Sequence, residues 1–249
     1  MTATIALPRR QLHSDWLARL RTIGMGLAAR RGVRLGVSGW PIAPWFRANG
    51  APLPIAAYQP LYATSATSAR IDLTGNGYTL SPQHLAGPGW TGAEGWTYVG
   101  NYTEQMWAEF SLPANCSMVA RFTYTYYPYG TNAFMGNHQG NNRAYLAPFW
   151  NATAGKLYGI GASSVGALPG ANNGVMGFAG PRCFYNGAHV GTCTVSNLQF
   201  TQKFCVGGRG GAGYTASTYH IGTIASLAVY ASTLTDSQMI GVMNAMLAL

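Results

Sequence analysis

The chain has 249 residues and a net charge of +9, with 33 glycines, 12% aromatic residues and only 8% charged ones. That length can bury a full hydrophobic core, and so few charges beside so many aromatics exclude a solvated disordered polymer. Only six acidic residues are present, Asp15, Asp72, Glu94, Glu104, Glu109 and Asp236. This argues against glycoside hydrolysis, which ordinarily needs two flanking carboxyl groups, and against calcium sites rich in carboxylate oxygens.

The charge is concentrated at one end. Residues 1–50 hold eight arginines against Asp15 and so carry +7 of the +9. Leu12, Trp16, Leu20, Ile23 and Leu27 recur at spacings of three and four, which predicts an amphipathic helix. Gly24 and Gly26 weaken its middle by about 1 kcal/mol each, and a lone helix of this length is marginal in water. The spacing therefore predicts an arm that orders against a partner, or a helix packed on its own domain. In the first case Trp16, Leu20 and Ile23 fill an apolar groove. Arg9, Arg10, Arg19, Arg21, Arg30, Arg31 and Arg34 then face acidic surface.

Residues 38–60 contain five prolines, which exclude regular helix and central strand there and predict a linker. The boundary is expected near Leu53, giving an arm and linker over 1–53 and a second domain over 54–249. Removing residues 1–50 is then expected to leave that domain folded.

Beyond the linker, strand signals dominate. Gly75-Asn76-Gly77 and Gly87-Pro88-Gly89 read as turns, and 96–99 as a short strand. From Ser117 to Tyr127, Met118, Ala120, Phe122, Tyr124 and Tyr126 share one face of an alternating strand. Strands are also expected at 133–135, 143–150, 175–178, 183–185, 188–192 and 219–230. Asn186-Gly187 between two of them is a hairpin signal, because both residues tolerate positive φ. Thr235, with Gln238 three residues on, forms a capping-box pattern ahead of a short helix with an apolar face of Met239, Ile240, Val242, Met243, Met246 and Leu247. The pattern predicts an all-β, two-sheet antiparallel sandwich closed by one helix.

Three runs carry a family resemblance. Residues 183–192 (Cys-Phe-Tyr-Asn-Gly-Ala-His-Val-Gly-Thr) resemble the "strand, Asn-Gly, strand, Gly-Thr" hairpin of concanavalin-A-like, laminin-G-like jelly rolls. Ile221–Tyr230 is similar to the family's penultimate strand, and 234–238 to the entry into its final helix. The lead formed by 56–60, 71–78 and 95–98 resembles the variety found in tailed-phage structural proteins. The resemblance implies a virion protein present in many copies, a capsid decoration or a tail or fibre accessory, held by its arm to neighbouring virion subunits. The competing expectation is a carbohydrate-binding module for a host-surface glycan.

No catalytic residue, cofactor or metal is carried over. The glycanase relatives' Glu-x-Asp-x-x-Glu strand is missing, Glu104 and Glu109 would face opposite ways on one regular strand, and the five histidines and four cysteines are dispersed. Buried free thiols are expected in preference to a Cys183–Cys193 bridge. Gly207 to Gly213 lacks the Lys-Ser/Thr ending of a phosphate loop. Tyr127, Tyr129 and Trp150 are the candidate glycan contacts. No apolar run is long enough for a membrane helix, and a nucleic-acid partner is not expected.

Overall fold

The computed structural model describes residues 45–83, 87–100, 102–125, 135–139, 142–150, 153–160, 164–167, 173–192, 203–208 and 220–249. Of these, 102, 138–139, 142–143, 148–150, 153–160 and 164–167 are described by backbone alone. In chain order the strands are β1 (Ala56–Tyr58), β2 (Ser81–Pro82), β3 (Gly89–Thr91), β4 (Gly95–Val99), β5 (Met106–Ala108) and β6 (Ser117–Tyr124). There follow β7 (Met135–Gln139), β8 (Asn142–Trp150), β9 (Thr153–Ile160), β10 (Ser164–Ala167) and β11 (Asn173–Ala179). The last are β12 (Arg182–Tyr185), β13 (Ala188–Thr192), β14 (Phe204–Val206) and β15 (Ile221–Tyr230), and helix α1 spans Asp236–Leu247.

They form two antiparallel sheets. One has eight strands, in the order β13-β12-β11-β6-β15-β4-β3, with β1 also paired to β15. The other has seven, in the order β10-β9-β8-β7-β14-β5-β2. The alternation along β6 is the one expected for a strand between two apolar layers. Met118, Ala120, Phe122 and Tyr124 enter the core between the sheets, while Val119 enters a second core on the outer face of the eight-stranded sheet.

Helix α1 covers that second core with Met239, Val242, Met243 and Met246. Ile240 is half-buried and Leu247 40% exposed, so the expected apolar face is narrower than six residues. The capping box is present: the Thr235 side chain accepts from the Gln238 amide N–H, and the Gln238 side chain accepts from Thr235 N–H. The Asn186-Gly187 turn has φ of 47° and 77°, the two positive values that a tight hairpin of this twist requires.

Packing begins earlier than the proline count suggests. A kinked 3-10 segment over Trp45–Gly50 lies against α1, with Trp45 and Phe46 buried in the second core. Trp45 Nε1 donates to Gln59 Oε1 at 2.9 Å, and Tyr230 Oη donates to the Phe46 carbonyl at 2.7 Å. Gly241 has no side chain where this segment presses closest; a Cβ there would lie 2.5 Å from Asn49. Prolines do exclude regular structure here, but two aromatic rings can be buried without it.

Cutting the chain after residue 50 therefore removes part of a core, and the truncated protein is expected to be destabilised. Trp45→Ala alone should cost about 3–5 kcal/mol and Thr235→Ala about 1 kcal/mol. Both are read as shifts of the urea midpoint at unchanged slope.

Candidate functional site

The described carboxylates are mostly engaged by the fold. Asp72 is buried and accepts from the backbone N–H groups of Ala57 (3.1 Å) and Thr74 (3.0 Å) and from the Thr74 hydroxyl (2.7 Å), which ties it to strand β1. Glu104, also buried, accepts from Val99 N–H at 2.9 Å and Gly100 N–H at 3.2 Å, bracing the end of β4. Asp236 pairs with Arg182, and Glu109 with Lys203. Glu104 and Glu109 flank β5 instead of sharing a regular strand, and their surroundings differ accordingly. No group of three or more His, Cys, Asp or Glu suited to a metal occurs among the described residues.

A buried polar corner sits beside β4 and β15. The Tyr98 and His220 rings meet edge to face at 5.5 Å, and the backbone N–H of His220 donates to the Gly207 carbonyl at 3.3 Å. Burial pushes the His220 pKa down from 6.5 to about 4, against smaller opposing effects of backbone bonds to Thr223 and Thr123. Burial pushes the Tyr98 phenol well up, helped by Cys205 and Glu104. Cys116 and Cys183 are buried as well, while Cys193 lies outside the described residues.

The outward face of the seven-stranded sheet has a different character. Met106 and Ala108, Phe204 and Val206, and Met135 and Leu146 point into the inter-sheet core. The residues between them therefore point away from it. The register lines up Ser81, Trp107, Cys205, Gly136 and Tyr145 as one row across β2, β5, β14, β7 and β8. The row runs from solvent to interior: Ser81 is exposed, Trp107 half-buried, and Cys205 and Tyr145 fully buried. Trp107 Nε1 is buried, and no described group accepts its proton. Ala108 and Phe110 on either side of Glu109, and Phe204 after Lys203, enter the core while the Glu109–Lys203 ion pair is exposed, so the pair lies on the same side of the sheet as Trp107.

Of the residues expected to carry function, Tyr127 and Tyr129 lie outside the described residues. Trp150 ends β8, where its backbone pairs with Thr153, and its side chain lies outside them too. The arm residues Arg9 to Arg34, with Trp16, Leu20 and Ile23, also fall outside. Trp107 was not anticipated from the sequence. Its only signal is the alternating triplet Met106-Trp107-Ala108, too short to show a period.

No family model matches the chain, and no curated protein matches it in sequence. Among solved structures it is similar to a Trypanosoma rangeli sialidase in complex with 2,3-difluorosialic acid, at 12% identity and a TM-score of 0.53, over 78% of this chain and 33% of that one. The same sialidase in complex with a difluoro-KDN gives 13% identity and 0.53, over 93% of this chain and 39% of the other. Domain 4 of an extracellular arabinanase from Geobacillus stearothermophilus, in complex with arabinotriose, gives 18% identity and 0.47, over 76% and 98%. The sandwich is consistent with a concanavalin-like fold, and at these identities the likeness to the sialidase is one of fold. The chain spans 33–39% of that sialidase's length.

The buried corner gives a pH test. Between about pH 6.5 and about pH 4 the unfolded chain takes up a proton at His220 that the folded chain refuses. Stability from this group is fully present above pH 6.5 and falls as the pH drops through that window, by on the order of 3 kcal/mol. Denaturant unfolding as a function of pH should lose that component in His220→Gln.

Proposed function

We propose that this β-sandwich is a non-catalytic carbohydrate-binding module whose site is the outward face around Trp107. The observation that carries the reading is the indole of Trp107, half-buried near the solvent end of a row on the outward sheet face. The part of the ring that remains exposed offers a flat apolar surface on which a sugar can stack. Aromatic bodies with a polar tip suit surfaces that are part apolar and part wet. Sugars have that mixed character. The fold is shared with part of a sialidase that was solved with sialic acid analogues.

A binding role in preference to a cleaving one is supported by Asp72 and Glu104, whose oxygens already accept backbone N–H groups. The virion reading rests on the lead resembling phage structural proteins and on the basic arm. Absence of the labelled protein from purified particles would remove it.

A glycan array decides the main reading. Wild-type protein is expected to bind a defined subset of glycans, and Trp107→Ala to lose at least tenfold in affinity with its melting temperature nearly unchanged. Trp150→Ala and Tyr129→Ala test the sequence-derived contacts in the same assay. Loss of binding in those two but not in Trp107→Ala would move the site away from β5.

A further inference from the structure

We infer that the sugar taken at this face is neutral, held through two adjacent hydroxyls by the Glu109–Lys203 ion pair beside Trp107; the inference rests on the carbohydrate reading. Glu109 follows Trp107 by two residues, just past the end of β5. Lys203 stands in the same relation to Cys205, the cross-strand partner of Trp107. The face thus presents part of a flat ring, one carboxylate and one ammonium.

A carboxylate only accepts hydrogen bonds and an ammonium only donates them, whereas each sugar hydroxyl does both. Two adjacent hydroxyls can therefore satisfy Glu109 and Lys203 together, and the ring behind them can lie on the indole. The side chains are 72% and 53% exposed, so a sugar can reach them without isolating a buried charge. An acidic sugar fits less well. Its carboxylate needs an unpaired cation, but Lys203 is already paired, and Glu109 would repel the newcomer.

Stability is a poor alternative reason for the pair. Exposed ion pairs contribute roughly 0–1 kcal/mol, so Glu109→Gln and Lys203→Met should both fold as wild type does.

The experiment uses the full chain on an array carrying matched sialylated and desialylated glycans, followed by titration with lactose and 3′-sialyllactose. The neutral member of each matched pair is expected to bind more tightly, with little dependence on salt. Lys203→Met and Glu109→Gln should each weaken neutral binding about tenfold, the loss of roughly one charge-assisted hydrogen bond. Glu109→Gln should also gain affinity for sialylated forms, because it frees Lys203. Preference of the wild type for sialylated glycans, or neutral binding untouched by both substitutions, would overturn this inference and leave the carbohydrate reading standing. Failure of the wild type to bind any glycan would overturn both.

Discussion

Strand β15 is the element on which the sandwich depends. One of its edges pairs with β6 for nearly its whole length. The other is divided end to end, with β4 along Ile221 to Ile224 and β1 along Leu227 to Val229. Where these two partners meet, the register against β6 shifts between Ile224 and Ser226, and the freed Ala225 carbonyl accepts from Leu61 N–H at 3.1 Å. Gly95 fits at this point because a Cβ would lie 2.4 Å from the Ile224 carbonyl oxygen. The irregularity lets Ile224 and Leu227, three residues apart, both enter the inter-sheet core. A regular strand would have sent them to opposite faces.

The two layers of packing divide the molecule's work. Beyond the shift, Ala228 and Tyr230 turn into the core beneath α1, so the eight-stranded sheet is apolar on both faces in this half. Ser117 ties the layers together: its hydroxyl donates to the Ser232 carbonyl and accepts from Leu234 N–H, each at 2.9 Å. With one sheet's outer face given over to a helix, the seven-stranded sheet is where a row can pass from solvent to interior. Trp107 sits at that transition.

The architecture was legible in the sequence because it rests on signals that are locally complete. The alternation of β6, the Asn186-Gly187 turn and the Thr235/Gln238 cap each fall within a few residues. Trp45 and Phe46 were misread because proline density reports backbone regularity and says nothing about burial. The site was less legible for a related reason. β2, β5 and β14 have two or three residues each, and their pairing is a property of the register alone. Glu109 and Lys203, 94 positions apart, meet only through that register.

The position of β15 near the end of the chain also has a bearing on how the protein is made. Its partners β1, β4 and β6 lie roughly 100–170 residues upstream, so at about 5–20 residues per second they are synthesised some five to thirty-five seconds before it. During that interval the edges that will pair with β15 have no mate, and pairings of such long sequence separation form slowly even once the mate arrives. Yield in a heterologous host should therefore be governed by elongation rate and chaperone supply more than by the stability of the finished sandwich, and a stalled ribosome short of Ile221 would release a chain prone to aggregate.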